Sequence, residues 1–168
     1  MRKAKKFILS NGGAENVNVF TRISLALFGQ ISWESIPYMP IEIMRFPKWF
    51  PFNIYKISYW SRTVLVPLLI IMNKKPLANN PNGTSIYELF NNPNKQMSVK
   101  GVDGSKVTSK LFLILDKIAR YSFPKFFSNN FKNDCIESAY KWIIERLNGK
   151  DGLGGIFPAM VNALIALN

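Results

Sequence analysis

An all-α fold is predicted for this chain of 168 residues by three features of its sequence. No segment alternates apolar and polar residues as a half-buried strand does, and the apolar residues recur at helical spacing. Ten prolines and ten glycines divide the chain into segments of helix length. A hydrophobic share of 48% indicates a packed protein rather than a disordered one. Several helices are apolar on more than one face, so we expect some of them to need partners outside this chain.

The first part of the chain is predicted to contain two helices and a proline-rich connector. Residues 3–9 are predicted to be the last part of the first helix. Asn16 is the predicted N-cap of the second helix, which stops at Gly29. Four prolines then frame a short helix over residues 41–44.

The remaining elements follow from the same signals. Residues 52–74 predict a long helix bent near Pro67, because an interior proline removes one backbone hydrogen bond. Residues 76–106 are rich in Asn, Pro, Gly, Ser and Lys, which predicts an internal loop region. Three further helices are predicted over residues 109–121, 133–147 and 157–167. The segment SFPKFF is predicted to end the first of these three.

The titratable residues exclude several classes of enzyme. The chain has no histidine and one cysteine, Cys135. A disulfide framework, a Ser-His-Asp or Cys-His arrangement and a zinc site are therefore excluded within these residues. We interpret Cys135 as a small buried apolar residue.

The net charge of +12 predicts an anionic partner, either nucleic acid or the surface of an anionic membrane. The basic residues are spread along the chain and combined with many apolar ones, which favours the membrane surface. The longest apolar run, residues 64–72, is too short to span a bilayer. A small basic helical protein that binds membrane or nucleic acid without catalysis therefore stays open as one hypothesis.

The segment 46–60 contains seven aromatic rings, more than one helix needs for packing against a core. On a helix, Tyr59 lies on one face with Arg62, whereas Ile57 and Trp60 lie on the opposite face. Such a helix buries both faces only between two layers. Core packing is one interpretation of these rings. The other is a cavity wall, because aromatic faces stabilise a cation that no base is to reach.

Four blocks of the sequence closely resemble consecutive blocks of bacterial squalene-hopene cyclases, in the same order and spacing over nearly the whole chain. They are FILSNGGAENVNVFTRISLALFGQ, PYMPIEIM, PKWFPFNIYKISYWSRTVLVPL and ERLNGKDGLGGIFPAMVNALIAL. The resemblance implies an enzyme of two α/α-barrels that cyclises squalene to hopene through a carbocation cascade. The resemblance also implies that residues 1–168 form a single partial domain, which is a fragment of the smaller, inserted α/α-barrel.

The resemblance also implies a location and partners. The family requires no cofactor or metal, and it binds one leaflet of the bacterial cytoplasmic membrane. The expected partners are squalene and that membrane surface, with no nucleic acid. A homodimer or the remainder of the cyclase are further expected partners.

The site residues implied by the resemblance form three groups. Those lining the substrate cavity are Phe20, Trp60, Ile156, Phe157 and Pro158. Those at the constriction between channel and cavity are Ile57 and Leu65. Those facing the membrane are Leu111, Phe112, Leu115, Phe123, Phe126 and Phe127.

Two departures from the family pattern limit what the chain is expected to do. Leu147 and Leu153 stand where the repeated QW motif has Gln and Trp, which we interpret as variation within a subfamily. The acidic D-x-D-D motif, which protonates squalene in the family, does not occur in the 168 residues. We therefore expect a central fragment that supplies cavity wall and membrane-facing surface but no catalytic acid.

Overall fold

The computed structural model describes residues 2–50, 53–92 and 107–168, with side chains from residue 113 onward in the last range. Within them, regular structure is helical, apart from one isolated bridge between Leu147 and Leu153. The α-helices are α1 (Arg2–Ser10), α2 (Val19–Leu27), α3 (Tyr59–Lys74), α4 (Val107–Phe126), α5 (Asn129–Ile144) and α6 (Phe157–Leu167). Shorter 3₁₀ helices are Gly13–Asn16, Trp33–Ser35, Ile41–Arg45, Ile54–Lys56, Tyr87–Leu89 and Gly149–Asp151. The predicted all-α fold is confirmed.

The chain divides into two compact units. Unit 1 comprises Met1–Tyr38 and Lys75–Ile118, and unit 2 comprises Met39–Lys74 and Ala119–Asn168. Their assignment to one partial barrel domain stays a prediction.

Unit 1 is organised around a buried arginine in α2. Arg22 is 3% exposed, and its guanidinium donates to the carbonyl oxygens of Glu15 (2.7 Å) and Ser35 (3.2 Å). Burial lowers the pKa of Arg22 from its ordinary value. The N-cap of α2 is Asn18, whose side chain accepts from the Thr21 N–H at 2.9 Å. The prediction of Asn16 was wrong, because that residue ends a 3₁₀ helix.

Side chains hold the loop that follows α3 against the rest of unit 1. The Gln30 amide accepts from the Ile86 N–H (3.0 Å) and donates to the Thr84 carbonyl oxygen (3.3 Å). The Glu15 carboxylate accepts from the Asn92 N–H at 2.8 Å. Some backbone groups of residues 84–92 are therefore bound to side chains of unit 1. The assignment of 76–106 to one internal loop region stays a prediction. The rest of the predicted loop, 93–106, lies outside the described residues.

Replacing Glu15 with Gln is expected to lower the free energy of unfolding by about 1 kcal/mol at neutral pH, because a charged acceptor is lost. Burial raises the Glu15 pKa, but backbone N–H groups, chiefly that of Asn92, bring the pKa below its ordinary value of 4.5. The carboxylate therefore stabilises the fold above about pH 4.5, and this contribution is lost as the pH falls through the folded-state pKa. Urea unfolding at neutral pH and near pH 4 measures both effects.

The exposed Glu34 of the same unit offers the matched control, since Glu34→Gln should leave stability within ~0.5 kcal/mol. Equal unfolding curves for the Glu15→Gln variant and the parent protein would contradict the role assigned to Glu15.

Unit 2 is built on α3, whose residues 66–72 are all buried. The alanines Ala159, Ala163 and Ala166 form the buried face of α6, which packs on α3, and small side chains allow close approach of two helices. Helix α5 contacts α3 and the 3₁₀ helix Ile41–Arg45, with Cys135 and Ile143 among its buried residues.

Several helix boundaries differ from the sequence prediction. Helix α5 spans Asn129–Ile144 instead of 133–147, because Ser128 caps its N-terminus by accepting from the Phe131 N–H. Helix α3 begins at Tyr59, not at residue 52, because residues 57–58 leave helical geometry after the 3₁₀ helix Ile54–Lys56. Helix α4 continues through Pro124 to Phe126, where we had predicted an interruption. The helix continues because proline removes one donor only, and the Phe127 N–H still donates to the Phe123 carbonyl oxygen at 3.1 Å.

Candidate functional site

The first turn of α3 presents the Trp60 side chain outward, 59% exposed. Thr63 is fully buried below it, and its hydroxyl donates to the Trp60 carbonyl oxygen at 2.7 Å. This bond ties the backbone of Trp60 to the packed part of the helix. The backbone at Trp60 is thus anchored by a buried residue, although the ring itself is uncovered.

A glycine-rich turn places the start of α6 beside this turn of α3. Gly154 has φ of +68°, and a Cβ atom there would lie 3.3 Å from the Thr63 hydroxyl oxygen. Only glycine combines this backbone conformation with so close an approach. Ile156 is the extended N-cap of α6, followed by Phe157 and Pro158. The structure therefore brings Trp60 and the predicted cavity segment 156–158 to neighbouring helix ends.

The outer face of α6 is apolar along its whole length. Its side chains recur at helical spacing on the side opposite the buried alanines. They are Phe157 (78% exposed), Met160, Leu164 (64% exposed) and Leu167. Beside Trp60, this face forms an uncovered apolar surface in unit 2.

The other predicted cavity and constriction residues belong to both units. Ile57 ends the 3₁₀ helix Ile54–Lys56 and is half-buried, and Leu65 is half-buried in α3. Phe20 lies in α2 of unit 1 and is 54% exposed. The roles of these three residues stay predictions.

Protein cations already lie over two rings near Trp60. The Lys48 ammonium is 5.5 Å from the centre of the Tyr55 ring, and the Arg62 guanidinium carbon is 5.9 Å from that of Tyr59. Among the contacts of the described residues, no cation lies over Trp60.

A second guanidinium extends this arrangement in unit 2. The Arg146 guanidinium carbon lies 4.5 Å from the Trp142 ring centre, and Tyr59 and Trp142 have ring centres 6.4 Å apart. Our sequence analysis assigned no role to Trp142 or Arg146. Their i, i+4 spacing was the available signal, but the pairing with Tyr59 depends on how α5 packs on α3.

The predicted membrane-facing residues are distributed along α4 and just beyond it. Leu115 (48% exposed) and Phe126 (84% exposed) are open to solvent, whereas Phe123 and Phe127 are half-buried. The side chains of the remaining two, Leu111 and Phe112, lie outside the described residues. In the described ranges, every helix is too short or too polar to cross a bilayer.

Cys135 provides the one thiol of the sequence, and its side chain is fully buried. Burial, with a smaller contribution from the charge of Glu42, raises the pKa of the Cys135 thiol to about 11. The thiol is therefore protonated at neutral pH and a poor nucleophile. No group of three or more potential metal ligands was found in the described residues.

Comparison with known proteins gives one consistent family. A model described as the squalene-hopene cyclase N-terminal domain matches residues 1–168. The chain is 45% identical over 168 residues to the squalene-hopene cyclase of Zymomonas mobilis, covering 98% of this chain and 25% of that enzyme. Identity to the Bradyrhizobium diazoefficiens enzyme is 44% over 167 residues, covering 98% of this chain and 25% of that enzyme. For the Alicyclobacillus acidocaldarius enzyme, identity is 37% over 169 residues, covering 99% and 26% respectively.

The chain thus spans about a quarter of the length of these relatives. The matching model is that of the N-terminal domain, so the chain corresponds to the N-terminal part of these enzymes rather than to the central part that we expected.

Proposed function

The chain belongs to the squalene-hopene cyclase family, and from this premise we propose that it forms one wall of the cavity in which squalene is cyclised to hopene. The uncovered Trp60 ring carries the proposal, because it is the aromatic face beside the apolar surface of α6 over which no protein cation lies among the described contacts. A polyene substrate requires an apolar wall, and its cationic intermediates require negative ring density without a base nearby.

The chain's contribution to the mechanism is positioning and electrostatic stabilisation. Trp60 faces the developing carbocation and lowers its energy through the ring quadrupole. Phe157 and Leu164 surround the hydrocarbon and exclude water, which prevents early capture of the cation. The four aspartates of the sequence are isolated and form no D-x-D-D, so the proton that starts the cascade comes from outside these 168 residues.

An exchange experiment tests this role. The 168 residues replace the matching segment of the Zymomonas mobilis squalene-hopene cyclase, to which they are 45% identical. The purified chimera is incubated with squalene in detergent, and pentacyclic products are quantified by gas chromatography. We expect the chimera to form them and the separate 168-residue chain to form none, since it lacks the acid.

The controls are the parent cyclase and a chimera whose D-x-D-D motif carries Asn in place of each Asp. A folded chimera without activity would contradict the proposal, and so would pentacyclic product from the separate chain. The alternative hypothesis is a basic protein that binds membrane or nucleic acid without catalysis. Under that hypothesis the chimera is expected to be inactive.

The proposal includes attachment to one leaflet of the cytoplasmic membrane. Support comes from the exposure of Leu115 and Phe126 on α4 and from the net charge of +12. Binding in this mode buries apolar side chains in the interface without a spanning helix. Homodimerisation, or association with the remainder of a cyclase, stays a prediction.

A further inference from the structure

Two arginine side chains of unit 2 lie at one pair of aromatic rings, where α3 packs on α5. The pair consists of Tyr59 in α3 and Trp142 in α5, whose ring centres are 6.4 Å apart. The Arg62 guanidinium carbon lies 5.9 Å from the Tyr59 ring centre, and that of Arg146 lies 4.5 Å from the Trp142 ring centre. The ring pair therefore holds one guanidinium group from each helix.

The two guanidinium groups differ in their hydrogen bonds. A terminal nitrogen of Arg146 donates to the Trp142 carbonyl oxygen at 3.0 Å and to the Glu145 carboxylate at 3.2 Å. The Arg62 Nε–H is buried, and within the described part of the chain it has no hydrogen-bond acceptor. The described residues also include no carboxylate paired with Arg62. A buried donor without an acceptor is destabilising, so Arg62 needs an acceptor from outside these residues.

The chain has too few carboxylates to neutralise its own cations. It contains 22 basic and 10 acidic residues, and two of the acidic ones are already paired, Glu88 with Lys5 and Glu145 with Arg146. The chain spans about a quarter of the length of its relatives, so most of a complete cyclase of this family lies outside these residues. That larger part of the polypeptide is a source of carboxylates for Arg62.

The first turn of α3 is open to the approach of a second polypeptide segment. Tyr59 is 46% exposed, Trp60 is also exposed, and Arg62 is half-buried. A guanidinium group binds a carboxylate through two parallel N–H donors, which makes this pair stronger and more specific than a single hydrogen bond. The contact with the Tyr59 ring restricts the Arg62 side chain in advance, so less entropy is lost when the carboxylate binds.

We propose that Arg62 binds a carboxylate of the polypeptide that completes the cyclase, and that this ion pair holds that polypeptide against the first turn of α3. The inference deepens the proposed association with the remainder of a cyclase, and it does not depend on Trp60 stabilising a cation. It adds a charged contact to a surface described so far as apolar. Because Trp60 precedes Arg62 by two positions, the same contact places polypeptide beside the uncovered indole.

The half-life of the folded state tests the proposal in two contexts, the chimera and the separate 168-residue chain. Each protein is held at a fixed high temperature, and the loss of helical circular dichroism is followed, which requires no reversible unfolding. Arg62→Met keeps an apolar side chain and removes the guanidinium group. We expect it to shorten the half-life of the chimera about tenfold, which corresponds to the loss of one charge-assisted hydrogen-bonded pair. The half-life of the separate chain should change less than about twofold, because no acceptor is lost there.

Arg146→Met is the matched control, because the acceptors of Arg146 belong to the chain itself. It should shorten the half-lives of the chimera and of the separate chain by a similar factor. A loss that depends on the context is therefore expected for Arg62 alone of these two arginines.

Two further variants of the chimera test whether the bound group is a carboxylate. Arg62→Glu should shorten the half-life more than Arg62→Met does, because it sets two carboxylates against each other. Arg62→Lys keeps the charge without the planar fork and should fall between the parent chimera and Arg62→Met. These comparisons use the chimera only, so they remain decisive where the separate chain is unfolded.

Three results would overturn the proposal. Equal losses for Arg62→Met in the chimera and in the separate chain would place the acceptor within the 168 residues. An Arg62→Glu chimera as long-lived as the Arg62→Met chimera would exclude a carboxylate. A separate chain that inorganic phosphate stabilises, with no such effect on its Arg62→Met variant, would assign Arg62 to a free anion.

The ion pair and the cavity wall can fail separately, because half-lives measure the first and pentacyclic product measures the second. An inactive chimera with the context-dependent loss at Arg62 would reject only the cavity wall. An active chimera whose half-life is insensitive to Arg62→Met would reject only the ion pair.

Discussion

Replacing Trp60 with Ala is expected to lower the cyclisation rate of the chimera about thirtyfold, measured as pentacyclic product formed per minute at saturating squalene. A cation–π contact in a desolvated site contributes about 2 kcal/mol, and each 1.4 kcal/mol of barrier corresponds to a factor of ten in rate. The loss should appear in kcat, because the ring interacts more strongly with the cationic intermediates than with neutral squalene.

The control for Trp60 is Tyr55→Ala, since Tyr55 is 56% exposed in the preceding 3₁₀ helix and already lies next to Lys48. It should retain activity within about twofold. Trp60→Phe keeps an aromatic face and should fall between the parent chimera and the alanine variant. Equal rates for Trp60→Ala and Tyr55→Ala would show that Trp60 contributes only to packing and does not stabilise the cation.

Replacing Ile143 with Ala is expected to lower the free energy of unfolding by about 2–5 kcal/mol, because the side chain is fully buried. Ile143 lies on the face of α5 that also buries Cys135 and Ala139, in the helix that packs on α3. Removing it leaves a cavity that this close-packed surface fills only in part. Chemical denaturation of the 168-residue chain measures the change.

The neighbouring residue provides a control with the same chemistry. Ile144 is 60% exposed, so Ile144→Ala should change the free energy of unfolding by less than ~0.5 kcal/mol. Equal losses for the two variants would mean that α5 does not pack on its Ile143 face. A loss confined to Ile144 would place the opposite face of α5 against the core.

Glycine, proline and hydrophobic periodicity were sufficient to predict most of the helices. Helix α6 has its predicted bounds, because a glycine turn precedes it and its apolar residues recur at helical spacing. The errors lie where local signals compete. Pro124 looked like an interruption, yet α4 continues beyond it, since the loss of one donor does not end a helix whose next turn is bonded.

The aromatic segment shows the limit of helical periodicity. We placed residues 52–74 on one helix, with its rings on two opposite faces buried between layers. Residues 57–58 depart from helical geometry, so Tyr55 and Trp60 lie in different helices and not on opposite faces of one helix. In unit 2 both remain more than half exposed. Periodicity describes a face only while the backbone keeps the same helix.

The amino-acid sequence by itself determined the helical class, the absence of histidine chemistry and the resemblance to one enzyme family, because these depend on composition and local order. Only the tertiary structure decided which rings lie beside protein cations and which do not. It also joined the turn 46–50 to the end of α4. Contacts of this kind unite residues more than seventy positions apart, and they depend on the packing of whole helices, which no local pattern records.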